Sequence, residues 1–159
     1  MLDLLLLATC LGAGLIAGVF FAFSSFVMKA LARLPAEQGV AAMQHINVVV
    51  LNPLFLGVFL GTALLGLLCV LAAVFFAGWA SARFSLLSAA AGLSYLIACF
   101  GVTIACNVPR NNRLASLRTD SPEALAYWPV YVREWTFWNH VRTVASTVAC
   151  SCAAAALAV

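Results

Sequence analysis

Charge is what this sequence lacks most. Of its 159 residues, eight are Lys or Arg and five are Asp or Glu, and 65% are hydrophobic. Soluble domains carry about 25% charged and about 45–50% apolar residues. A soluble chain this apolar has too little polar surface to cover itself, and its mean hydropathy of +1.09 places it in a membrane. A net charge of +3, with no basic run interleaved by aromatics, excludes nucleic acid as a partner. C-x-x-C spacing is missing too. Cys10, Cys69, Cys99, Cys106, Cys150 and Cys152 lie in or at the ends of apolar runs. They read as small hydrophobes rather than as a disulfide framework or a zinc site. There is no H-x-x-x-H, no H-E-x-x-H and no glycine-rich phosphate loop. No period of about 20–50 residues marks a repeat array. Beyond the terminal Asp3, the long apolar runs hold no acid, which argues against a carboxylate proton relay or an ion pathway.

The N-terminus also lacks the basic stretch of a signal peptide. "MLDLLLLATCLGAG" has an acid there, and its apolar run continues past the usual h-region. "LATC" hints at a lipoprotein site at Cys10, but Thr9 and the missing basic residues argue against processing.

What is present is a set of four apolar segments long enough to span a bilayer, near 2–34, 53–77, 84–106 and 141–159. They predict one all-α domain over 1–159, a bundle of four transmembrane helices. Residues 35–52 and 121–140 read as amphipathic extensions that carry the second and fourth helices beyond the bilayer on one side. Pro35 suits a first turn, Asn52-Pro53 marks a break, and Ser121, Pro122 and Glu123 read as a helix start. Lys29, Arg33, Arg110, Arg113, Arg118, Arg133 and Arg142 gather at the extended end, against Arg83 at the other. The positive-inside rule puts that end in the cytoplasm and both termini outside. The expected setting is the inner membrane of a bacterium. Gly14/Gly18 and Gly57/Gly61 form two G-x-x-x-G patterns, which suit helix packing or a homo-oligomer.

Polar side chains concentrate at the same end. In "REWTFWNHVRT" (133–143), Trp135, Trp138, Asn139 and Arg142 share one helical face, with His140 beside it. Tryptophans favour the membrane interface and Arg142 can snorkel, but a short amide such as Asn139 is costly against lipid. Gln44, His45, Asn47 and Asn52 come from the second segment, and Asn107, Asn111 and Asn112 from the end of the third. Asn52 and Asn107, beside prolines, also suit turns and caps. Phe23, Ser24 and Ser25 close the first segment. Together they suggest an aromatic pocket edged with amides, one arginine and one or two histidines, suited to a flat apolar ligand with a few oxygens. His45 and His140 also admit haem b or copper ligation across the bundle.

"GLIAGVFFAFSSFVMKALARLP", "MQHINVVVLNP", "NVPRNN" and "WTFWNHVRT" resemble, in order and spacing, motifs of the anthrone oxygenase family of small membrane proteins. The resemblance covers nearly the whole chain. It implies a membrane oxygenase that converts an enolisable lipophilic substrate, of the anthrone type, to its quinone with O2 as co-substrate and no required cofactor. Asn47, Asn52, Asn107, Asn111, Asn139 and Arg142 match the family's polar positions. On that reading His140 is the base, Arg142 and Asn139 hold the oxyanion, and Trp135 and Trp138 wall the slot. Gln44, Asn47, Asn52, Asn107, Asn111, Phe23 and Ser24 contact substrate. The rival from another class is a non-enzymatic membrane protein that binds a lipophilic ligand or joins a larger assembly.

Overall fold

The computed structural model describes residues 2–75 and 81–159, which are helical, with no strand among them. Five helices follow one another: α1 (Leu2–Leu31), α2 (Ala36–Val49), α3 (Pro53–Phe75), α4 (Ala82–Ala115) and α5 (Pro122–Ala156). Their boundaries are written in local chemistry. Asn52 closes two helices at once: its Nδ2 donates to Val49 O at 2.9 Å, and its Oδ1 accepts from Phe55 N at 3.0 Å. Pro53 then takes the first helical position, where a missing N–H costs nothing. Ser81 and Ser121 cap α4 and α5 by accepting from Phe84 N and Ala124 N.

The helices α1, α3 and α4 are long and apolar enough to cross a membrane. They cover the expected spans at 2–34, 53–77 and 84–106, apart from residues 32–34, which form a turn, and residues 76–77, which lie outside the described residues. The expected fourth span is the second half of α5, in one 35-residue helix with the extension before it. It is not among the helices apolar enough to qualify. The reason is its position. α5 packs against both α1 and α4 through Ala145, Ala149, Ala153 and Ala156, all buried. Small residues let the neighbours approach, and α5 has less need of lipid-facing bulk. Two of its hydroxyls are satisfied within the helix: Thr143 and Ser146 donate to the carbonyls of Asn139 and Arg142 at 2.8 and 2.7 Å.

Three buried clusters stack along the bundle. Leu6, Cys69, Ala91, Ala153 and Ala156 form one end, and Ile16, Phe20, Phe59, Tyr95, Cys99 and Ala149 contribute to the middle. At the charged end, Met28, Val40, Met43, Leu114, Tyr127, Trp128, Tyr131 and Trp135 join α1, α2, α4 and α5. The two amphipathic extensions therefore pack on each other, with Gly39 of α2 seated against the ring of Trp128.

Within the bundle, the two G-x-x-x-G patterns are not the main helix contacts. Gly18, Gly57 and Gly61 face open space, and only Gly14 meets a neighbour, Cys150 Sγ. The close approaches fall elsewhere, at Gly12 against Thr62 and at Gly66 against Gly92. A Cβ on Gly92 would collide with the backbone carbonyl of Gly66, which cannot rotate away. Gly92→Ala should destabilise the protein by about 1–3 kcal/mol, while Gly57→Ala should be silent. Thermal unfolding of both variants in detergent checks this, and equal melting temperatures would contradict it.

Candidate functional site in the bundle core

At the boundary between the middle and charged-end clusters lies a cavity of about 540 Å³. This is within the range of about 300–1,000 Å³ usual for small-molecule sites. Phe20 and Phe23 of α1, Phe55 and Phe59 of α3, Phe100 of α4 and Trp135 of α5 line it. Polar groups come from Gln44, Asn47, Thr103, Asn111, Asn112 and Arg142. Val48, Leu51, Leu60 and Ile104 also line it and are exposed, so the cavity opens sideways onto the apolar flank, with the exposed Asn112 also on its rim.

Arg142 is the one charged residue on that lining and is 4% exposed. Its Nη2 donates to Asn139 Oδ1 at 2.7 Å and its Nη1 to Thr103 Oγ1 at 3.3 Å. The guanidinium carbon sits 4.1 Å from the Phe20 ring centre and 5.0 Å from that of Trp135, as cation–π packing favours. Nε is buried without a partner. No carboxylate pairs with this cation. Among the described residues the ion pairs are Arg110–Glu134, Arg118–Asp120 and Arg133–Glu134. The remaining acids, Asp3, Glu37 and Glu123, are exposed.

The residues behind Arg142 fix its position. Asn139 Nδ2 donates to Phe20 O and to Ser24 Oγ, each at 2.7 Å, and Ser24 Oγ lies 2.9 Å from Thr143 Oγ1. Ser24 sits in a wide π turn of α1, Phe23–Val27, and Thr103 and Asn107 bound another in α4. Such turns re-aim side chains and recur at functional sites. A second belt crosses three helices. Tyr131 Oη and Trp135 Nε1 both donate to Asn111 Oδ1, at 2.9 and 2.8 Å, and Asn47 Nδ2 reaches Tyr131 Oη at 3.4 Å. Burial pushes the Tyr131 phenol well above its ordinary pKa, so it remains a donor. Gln44 Nε2 donates to the carbonyls of Leu114 and Leu117, tying α2 to the end of α4.

The expected site residues divide into three groups. Arg142, Trp135, Gln44, Asn47, Asn111 and Phe23 come together on the cavity wall. Asn139, Ser24 and Asn107 stand behind it, Asn107 donating to Trp135 O at 3.2 Å. Asn52, Trp138, His45 and His140 do not line it. Asn52 is consumed by its caps. Trp138 lies at the edge of its helical stripe and packs edge-on against the exposed Phe137. His140, five residues after Trp135, falls on the far face of α5, in a shallow groove with Met28, Lys29 and Arg133. His45 is exposed as well, so the two imidazoles that suggested haem or copper do not converge on the cavity. Among the described residues no cluster of three or more His, Cys, Asp or Glu is poised for a metal. If His140 has no part in chemistry, His140→Ala should change turnover by less than about twofold, the scale of a surface substitution. A tenfold loss in a folded variant would bring it back.

Sequence reasoning missed Phe55, Phe59, Phe100, Thr103 and Tyr131. Tyr131 had a signal, one turn before Trp135 on the same face. The phenylalanines had none, since lipid-facing and cavity-facing rings read alike in an apolar run.

A family model described as anthrone oxygenase matches residues 55–152. The chain belongs to the anthrone oxygenase family. The match includes Phe55, Phe59, Thr103, Asn107, Asn111, Trp135, Asn139 and Arg142, hence most of the arginine's surroundings, but not the contributions of α1 and α2. No curated protein and no solved structure matches the chain.

Proposed function

We propose that the protein is a membrane oxygenase that oxidises a lipophilic, enolisable polycyclic phenol of the anthrone type with O2. One observation carries this beyond family membership: an aromatic cavity open to the apolar flank contains a buried guanidinium with no counter-ion. Stacked rings suit a planar substrate, and a fixed cation suits the oxygen on which negative charge develops. The reaction replaces the two hydrogens of a methylene with a carbonyl oxygen and releases water. One C–H proton leaves to give an extended enolate, which passes an electron to O2. Recombination forms a C–O bond, and the O–O bond then breaks as the second hydrogen is lost. Arg142 stabilises the enolate oxygen, Asn139 and Thr103 aim the guanidinium, and the rings of Phe20, Phe59 and Trp135 exclude water.

The second half of α5 serves as a fourth span, with the arginine-rich end in the cytoplasm and both termini outside. A reporter at the C-terminus should then be active only in the external compartment. Cytoplasmic activity would reverse the orientation.

The decisive experiment is oxygen consumption by the purified protein with a panel of anthrones, followed by the colour of the quinone product. Uptake above the spontaneous rate supports the oxygenase. Tight binding of anthrones without uptake supports a ligand-binding protein instead.

A further inference from the structure

An enzyme that acts through an enolate needs either a base to make it or a site that accepts it ready-made. The cavity lining holds one cation and no Asp, Glu, His, Cys, Lys or Tyr. The titratable groups that act electrostatically on the guanidinium are the Cys99 thiol of α4 and the Tyr131 phenol of α5. Cys99 is fully buried in the middle cluster beside Tyr95, away from the lining. Tyr131 is engaged with Asn111 and Asn47. α1 and α3 present Phe20, Ser24 and Phe59 on this side, none of them titratable. Glu134 pairs with Arg110, and both histidines are exposed.

Resting on the oxygenase reading, we infer that the substrate is taken up already ionised, as an enolate or phenolate, with Arg142 as its counter-ion. Its proton goes to water before entry, so the protein supplies no base. The electron and atom balance suits a site of fixed charge. The carbanion carbon bonds to O2 and gives a peroxide anion. Loss of its remaining hydrogen and cleavage of the O–O bond then release the ketone and hydroxide. One negative charge is present at every stage, on the enolate, the peroxide and the hydroxide in turn, and one buried cation matches it throughout. The Nε without a partner and the rings stacked on the guanidinium leave it able to accept an anionic oxygen without giving up a salt bridge.

Two measurements on the full-length protein in detergent test this. The first titrates a hydroxyanthraquinone, which cannot be oxidised as an anthrone is and changes colour when its phenol ionises. Bound to the wild type, its apparent pKa should fall by about 1–3 units, the effect of an opposite charge within reach. With Arg142→Gln it should match detergent alone. An unchanged or raised value in the wild type would overturn the inference. The second measures kcat/KM against pH for two anthrones of different acidity. The rising limb should move with the substrate's own pKa. A limb fixed at one pH for both would assign the proton to a protein base and also overturn the inference, even if Arg142→Gln does not fold. A lowered probe pKa without oxygen uptake would leave the anion site standing and remove only the oxygenase reading.

Discussion

Replacing Arg142 with lysine is expected to cut turnover roughly 10- to 150-fold, equivalent to about 1.5–3 kcal/mol, although the positive charge is kept. The guanidinium spans two partners at once, Asn139 Oδ1 and Thr103 Oγ1, while sitting over the Phe20 ring. An ammonium cannot reproduce that planar fork. It would satisfy one partner and tilt its charge away from the substrate oxygen. Arg142→Gln should fall at least as far, because the amide carries no charge. A residue that merely snorkels to the interface would tolerate lysine. Initial rates with a responsive anthrone, on variants that elute as folded monodisperse protein, check the result. Near-wild-type activity in both would move Arg142 from the site to the scaffold.

The second large effect is expected at Asn139, whose two replacements should behave in opposite ways. Asn139→Ala strips partners from Phe20 O, Ser24 Oγ and Arg142 Nη2 together. Each buried polar group left without a partner costs about 1–3 kcal/mol, so the melting temperature should drop sharply and α1 should loosen from α5. Asn139→Asp keeps the shape but places a carboxylate against the guanidinium. The fold should survive, since Asp can still accept from Arg142, although the donation to Phe20 O is lost. Activity should not survive, because Arg142 then has an internal counter-ion and no longer needs the substrate's. A fully active Asn139→Asp protein would mean that the free cation is unimportant.

These expectations rest on a site that the sequence revealed only in part. A buried arginine and asparagine one turn apart on an apolar helix are legible as text, because lipid or protein interior makes such groups expensive. Gln44, Asn47 and Asn111 were legible for the same reason. His140 sits beside that face in the text, yet its angle around α5 carries it outward, away from the cavity wall. Trp138 misled because indoles satisfy the interface and a pocket equally well. The glycines erred the other way: G-x-x-x-G spacing is present, but the contacts use Gly12, Gly39, Gly66 and Gly92.

The sequence by itself determined a helical membrane protein, the helix starts at Pro53 and Pro122 and the end at which its polar groups gather. Apolar length, proline positions and hydroxyl or amide caps act over a few residues, so one strand of text contains them. Only the tertiary structure decided which aromatics face inward, that α5 runs through the centre of the packing, and that Arg142 has no acid within reach. Those facts depend on the rotation of one helix against another. That rotation is set by shape complementarity among residues far apart in the chain, such as Phe20 and Asn139, 119 positions apart.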